Sequence, residues 1–355
     1  MQAAVLLKIN RPLEIYELDI PALVAGQVLV KILYSGLCRS QVMEVRGGRG
    51  EDLWLPHLLG HEGAGIVVEI GEGVSKVKPG DGVILGWIKS EGVDAPGAKY
   101  KKDGQVINSG RVTTLSNYSV VSESRVVKKP VDLPFDEAIL FGCAIPTGAG
   151  MVLNEIKPSK ESSVVLLGLG GIGLSALMAL KASGIKKIIA VDISKKKLEM
   201  AVRLGVTHVL NPNDDDFLEI VNKITLGGAD YCIESAGKTS TIELGFSLIN
   251  KSRGKLLFAS HPPSQETISL SPHELISGKK ISGSWGGSSS PDKDIPKIFN
   301  LFHASNIPIG ALLTKRYRLD EVNDAIDDLE SGSVFRPLIV MEHSCLLYTS
   351  DAADE

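Results

Sequence analysis

Apolar residues come in short blocks along the first third of the chain. Val28–Tyr34, Ala64–Ile70 and Gly82–Leu85 are rich in Val, Ile and Leu and lie between glycine-rich breaks, and each predicts a strand. Gly71-Glu72-Gly73 and Lys78-Pro79-Gly80-Asp81 carry turn chemistry. From about Ser162 the rhythm changes. Val164–Leu167 is a fully apolar strand, followed by a glycine turn and a helix across Leu174–Ala182. Lys187–Val191, His208–Leu210, Tyr231–Ile233 and Lys255–Ala259 continue the strands, with helical stretches such as Lys195–Leu204 between them. Strands alternating with helices predict a parallel sheet covered on both faces. The alternation stops near Trp285. Helices over Ile295–Ala304 and Leu319–Leu329 and a last strand over Phe335–Val340 complete the pattern.

Composition narrows the class. The 355 residues predict two domains, and 43% hydrophobic with 23% charged residues is a globular balance rather than a disordered one. With 38 basic and 42 acidic side chains the formal charge is −4, which offers no basic excess for nucleic acid or an anionic membrane. No run is long and apolar enough to span a bilayer, and Met1–Lys8 lacks the features of a signal peptide. A cytoplasmic protein is the expectation. Cys38, Cys143, Cys232 and Cys345 form no CxxC pair and no disulfide framework. Any metal site has to be assembled from distant positions.

Two runs carry chemistry. Gly168-Leu169-Gly170-Gly171-Ile172-Gly173 fits G-x-G-x-x-G between an apolar strand and an Ala/Leu-rich helix. In that setting Gly168 permits the tight turn, Gly170 lets backbone approach a pyrophosphate, and Gly173 lets helix and strand pack closely. Asp192 closes the next strand about 20 residues further on, where a carboxylate accepts from ribose hydroxyls and repels a 2′-phosphate. The bland reading of Asp192 is a cap on the following helix. Lys195, Lys196 and Lys197 follow, a run that softens rejection of NADP or simply faces solvent.

The second run is Gly60-His61-Glu62-Gly63-Ala64-Gly65, with Cys38 upstream and Cys143 downstream. Two thiolates and one imidazole make a three-ligand zinc site with the fourth position open, as catalytic zinc requires. Taken singly, each residue also reads as core: free cysteine is commonly a small buried hydrophobe.

With Gly36-Leu37-Cys38-Arg39-Ser40, Pro79-Gly80-Asp81, Gly142-Cys143 and Val191-Asp192, these runs make the chain resemble the zinc-dependent medium-chain alcohol dehydrogenases over about Met1 to Glu342. The resemblance implies an α/β fold: a GroES-like β-rich catalytic domain (1–145), an inserted doubly wound Rossmann NAD-binding domain (146–284) and a C-terminal part returning to the catalytic domain (285–343). It implies Cys38, His61 and Cys143 as ligands of one catalytic zinc, and Glu62 as an acid able to approach the metal. Ser40 would move the alcohol proton. Arg39 and Arg336 would bind the pyrophosphate, Thr147 would meet the nicotinamide, and Lys197 would reach the adenosine ribose. Trp87 would wall the substrate pocket. The implied reaction passes a hydride between NAD and a primary or secondary alcohol, polyols and sugar alcohols included. A homodimer or homotetramer built through strand Lys280–Ser284 is the implied assembly. A zinc-free quinone or enone reductase of the same superfamily and a catalytically silent nucleotide-binding protein are the alternatives.

Three departures qualify the resemblance. Many such dehydrogenases carry a four-cysteine lobe for a structural zinc, and here 89–117 contains no cysteine and reads as a solvated loop, so no structural zinc is expected. Its lysines and Tyr100, with His57 and His261, are polar candidates for a substrate contact. Gln41 stands where an Asp is usual, and Met43 where some relatives place a relay His. Beyond the span of the resemblance, 344–355 resembles a translated sequencing adapter and is excluded from the fold argument.

Overall fold

The computed structural model describes residues 1–263 and 265–343; the suspected adapter segment lies outside the described residues. Three sheets organise the chain. One has five strands in the order Glu14–Glu17, Gln2–Leu6, His57–Leu58, Gln105–Asn108, Lys99–Lys102. A second, seven-stranded sheet is centred on the long strands Gln27–Gly36 and Glu62–Ile70, which pair antiparallel. Gly65 opposes Ile32 in that pair, and a Cβ there would overlap the Lys31 carbonyl, so the strands approach more closely than a side chain allows.

The third sheet has six strands, all parallel, in the order His208–Leu210, Lys187–Val191, Ser163–Leu167, Tyr231–Glu234, Lys255–Phe258, Lys280–Gly283. In sequence order that is 3-2-1-4-5-6, the doubly wound arrangement whose ligand crevice opens where the order reverses, at the end of Ser163–Leu167. Val164–Leu167 and Ile188–Val191 are buried on both faces, as helices covering both sides require.

The helix after the glycine turn starts at Gly171, a turn earlier than the apolar pattern indicates, with Gly170 as its N-cap. The stretch 89–117 departs further from expectation. Lys99–Lys102 and Gln105–Asn108 form a hairpin, and Tyr100 and Ile107 point into the core. The Tyr100 hydroxyl accepts the Val120 N–H at 3.0 Å, and burial pushes its pKa up to about 12. Tyr100 is therefore a core residue rather than a substrate contact.

The chain end returns to its beginning. Arg336–Val340 pairs antiparallel with Gln27–Gly36, Leu338 opposite Gly36. Between the β-rich part and the Rossmann sheet lies the helix Ala144–Gly150, every residue of it buried. Gly148 lets it press on the glycine-turn helix, where a Cβ would overlap the Ile172 carbonyl. Among the described residues no single helix is long and apolar enough to cross a membrane.

Candidate active site

Four residues from three separate segments converge. Cys38 is the N-cap of helix Arg39–Val45, Glu62 begins a central strand with His61 just before it, and Cys143 is the N-cap of the buried helix. One ligand atom from each of Cys38, His61, Glu62 and Cys143 lies within 4.8 Å of the others. Register explains the convergence. Glu62 opposes Gly86, and a Cβ on Gly86 would stand 2.6 Å from the Gly142 carbonyl. Only glycine at 86 and 142 lets the cysteine-bearing turn lie against the strand carrying His61 and Glu62.

Tetrahedral zinc with Zn–S bonds of about 2.3 Å places its sulfurs about 3.7 Å apart, so the cluster fits such an ion. Its electrostatics point the same way. The Cys38 thiol is drawn well below its ordinary pKa, first by the hydrogen bond from Cys143 and then, against burial, by Arg336 and His61. Cys143 is correspondingly held up by Cys38 and by burial. A cation between the two sulfurs removes that conflict, because both become anionic ligands.

Glu62 is fully buried and Arg336 nearly so, and their charged atoms lie 3.2 Å apart. Burial raises the Glu62 carboxyl, with Arg336 opposing the shift. Burial would lower the Arg336 guanidinium, but Glu62 and the two cysteines outweigh it and hold the pKa up. Removing one partner of such a pair typically costs about 3–5 kcal/mol, because the other charge is left buried. Arg336 also donates to the Leu37 carbonyl at 3.0 Å, and its guanidinium lies against Gly171, the first residue of the glycine-turn helix.

Gln41 bridges two of the site's segments. Its Oε1 accepts the Cys38 N–H at 2.9 Å, and its Nε2 hydrogen-bonds His61 Nδ1. An amide therefore stands beside the imidazole, where a carboxylate would make it more basic. Ser40 Oγ and Thr147 Oγ1 are buried atoms without a hydrogen-bond partner among the described residues.

In the Rossmann crevice Gly168 has φ +87°, and a Cβ there would stand 2.7 Å from the Ala236 nitrogen. At Gly173 a Cβ would overlap the Gly168 carbonyl, so turn and helix pack backbone to backbone. Around Gly170 nothing lies within 4 Å of the Cβ position, which leaves the helix N-terminus open to an anion. Asp192 Oδ2 accepts the Leu169 N–H at 2.8 Å and Oδ1 the Ser194 N–H at 2.9 Å. Lys197 Nζ lies 3.6 Å from the same carboxylate. Arg39 is exposed and donates to the Glu330 carbonyl at 3.3 Å.

The structure places the remaining candidates and adds features that the sequence did not indicate. Trp87 packs edge-to-face on Trp285, with ring centroids 5.1 Å apart. A cavity of about 500 Å³ runs past Gln41 and His61 and is lined by Glu44, Asp52, Trp54 and His57. His57 is held by Asp52 at 2.9 Å and by the Leu58 carbonyl at 2.9 Å. Lys89 pairs with Asp94 at 3.2 Å. Glu234 is buried at the end of its strand, accepting the Ala236 and Gly237 N–H groups at 2.8 Å. An acid ending a Rossmann strand beside Ser235-Ala236-Gly237 was the available signal.

A Rossmann sheet joined to a β-rich unit carrying two thiols and an imidazole defines the class of two-unit dehydrogenases. Residues 24–131 match the alcohol dehydrogenase GroES-like domain, and residues 171–304 the zinc-binding dehydrogenase domain. The class-3 alcohol dehydrogenase of Cereibacter sphaeroides is 31% identical over 96% of this chain and 99% of its own. The S-(hydroxymethyl)glutathione dehydrogenase of Paracoccus denitrificans is 31% identical with the same coverage. Among solved structures, benzyl alcohol dehydrogenase from Acinetobacter calcoaceticus superposes with a TM-score of 0.86 at 30% identity, covering 96% of this chain and 99% of that one. The chain belongs to the zinc-dependent medium-chain alcohol dehydrogenase family, and through it is an alcohol oxidoreductase.

Proposed function

We propose that the chain is an NAD-dependent, zinc-dependent dehydrogenase interconverting a primary or secondary alcohol with its aldehyde or ketone. The observation that carries this reading is the convergence of Cys38, His61 and Cys143 ligand atoms within 4.8 Å, beside an arginine lying against the glycine-turn helix. Zinc held there would supply Lewis acidity toward the substrate oxygen, and NAD bound at the glycine turn would supply the hydride acceptor.

The chain's own residues do the rest. Cys38, His61 and Cys143 hold one metal ion per chain. Glu62, locked to Arg336, stands beside them as a reserve carboxylate. Ser40 Oγ, free of other partners, takes the hydroxyl proton. Met43 has no titratable atom to pass it on, so the proton leaves through water at the cleft. Trp87 walls the substrate, and Thr147 Oγ1 meets the nicotinamide. The turn Gly168–Gly173, with Gly170, Gly171 and Ile172 at the helix start, receives the pyrophosphate between Arg39 and Arg336. Asp192, seconded by Lys197, takes the ribose hydroxyls and selects NAD over NADP. The assembly is a homodimer or homotetramer, and the β-rich and Rossmann units act as separate domains around the cleft.

Elemental analysis of the purified full chain tests the metal assignment. Wild type is expected to hold one zinc per chain, and Cys143→Ser to lose most of it, because a hydroxyl poorly replaces a soft anionic sulfur. Two tightly held zincs in wild type, or full retention in Cys143→Ser, contradicts the assignment.

A further inference from the structure

Gln41 is 2% exposed and is the third residue of helix Arg39–Val45, whose N-cap is Cys38. Its amide lies between two members of the metal cluster. The Cys38 backbone N–H can only donate, so the amide oxygen has to face it, and Oε1 accepts that N–H at 2.9 Å. The amide nitrogen is then turned to His61 and bonds Nδ1. An amide nitrogen can only donate, so Nδ1 is the ring nitrogen carrying the lone pair. A doubly protonated ring would set donor against donor. The single His61 proton therefore sits on Nε2.

That tautomer conflicts with metal binding. Nδ1 is taken by Gln41, which leaves Nε2 as the ring atom able to join Cys38 and Cys143 around an ion. To ligate, Nε2 has to give up its proton and Nδ1 has to take one, with no net change in the charge of the ring. Nδ1–H then faces the amide nitrogen of Gln41, although a ligating imidazole needs an acceptor on that side. Gln41 has one acceptor atom. Turned to His61, it abandons the Cys38 N–H; left on Cys38, it abandons Nδ1–H. Among the described residues neither the Cys38 N–H nor His61 Nδ1 has another hydrogen-bond partner. A donor left inside the fold without an acceptor costs its desolvation. A carboxylate at 41 has two acceptor atoms and serves both donors at once.

We propose that Gln41 is a positioning residue that sets how firmly the chain holds its metal: its amide turns over when His61 becomes a ligand, and its one oxygen cannot serve both Cys38 and His61. This rests on the dehydrogenase reading above and concerns the metal of that same site. The bond given up is the one from the third helical residue back to the N-cap. Loading of the metal is thereby tied to the helix end that carries Arg39 and Ser40.

The test uses the full chain as wild type, Gln41→Glu and Met43→Glu. Glutamate has the shape of glutamine with a second acceptor atom. Met43→Glu adds the same charge to the same helix two residues on, where side chains do not share a face with Gln41. Zinc affinity is read from transfer of the metal between the loaded chain and a chromogenic chelator. Gln41→Glu is expected to hold zinc about 10-fold or more tighter than wild type, and Met43→Glu to stay within about 3-fold of it. Ring-nitrogen NMR of labelled histidine reads the tautomer in chain stripped of metal. The His61 proton is expected on Nε2 in wild type, moving to Nδ1 when zinc is added, and on Nδ1 from the start in Gln41→Glu. Unchanged affinity in Gln41→Glu, an equal gain in Met43→Glu, or a proton on Nδ1 in metal-free wild type overturns the inference and leaves the dehydrogenase reading standing. Wild type that holds no zinc overturns that reading itself, and this inference with it.

Discussion

Asp192 has a structural task beside the cofactor role proposed for it. Its oxygens already hold the Leu169 and Ser194 N–H groups, so it shapes the turn. The helix that follows has Ser194 as its N-cap, so Asp192 holds the turn before the helix rather than capping it, which leaves the ribose reading open. Asp192→Ala removes both hydrogen bonds, each worth about 1 kcal/mol, and stability falls accordingly. The cofactor ratio is insensitive to the folded fraction and is the better readout. Asp192→Ala is expected to narrow the NAD over NADP preference in kcat/KM by about 10-fold or more, since repulsion of the 2′-phosphate is gone. An unchanged ratio, or wild type that prefers NADP, shifts the selecting role to Lys195–Lys197. At this scale the sequence is informative where glycines mark close approaches, as around His61, Cys143 and the phosphate turn. Trp285 is silent there. It makes edge-to-face contacts with Trp87 and His261, and no local pattern encodes those.

The elements show what periodicity reads and what it misses. Lys187–Val191 and His208–Leu210 match their apolar blocks residue for residue. The glycine-turn helix does not, because glycine reads as turn while the first helical residues need no intrahelical partner for their N–H groups. The hairpin inside 89–117 has a weak local signal. Asp103-Gly104, with φ of 50° and 83°, is a two-residue turn between Lys-Tyr-Lys and Val-Ile-Asn, an alternation short enough to pass as loop. The Rossmann edge carries the assembly prediction. Among the described residues Lys280–Gly283 is paired on one side only, and Ile276 just before it is 83% exposed. An open edge presents unpaired N–H and C=O groups to a second copy. Sedimentation of wild type is expected to give a dimer or tetramer, and proline at Ile281 to shift it toward monomer. A concentration-independent monomer contradicts the edge pairing.

Across the whole molecule, the last strand ties the ends of the site together. Arg336 begins the strand that pairs with Gln27–Gly36, touches Glu62 in the Cys38–His61–Glu62–Cys143 cluster and lies against Gly171 at the glycine turn. The order of units along the chain was legible from the change of rhythm at Ser162. The convergence of Cys38, His61 and Cys143 was not legible from spacing. Residues this far apart meet only through sheet register, and the resemblance to a family supplied that grouping. The central claim is that this cluster and the glycine turn work as one NAD- and zinc-dependent alcohol oxidoreductase. Its most direct test is NADH formation from NAD and an alcohol panel, before chelation, after removal of the metal, and after zinc is returned. The account predicts alcohol-dependent NADH formation that is lost on metal removal and recovered with zinc. Turnover indifferent to the chelator, or NADH formation with no alcohol in the panel, contradicts it.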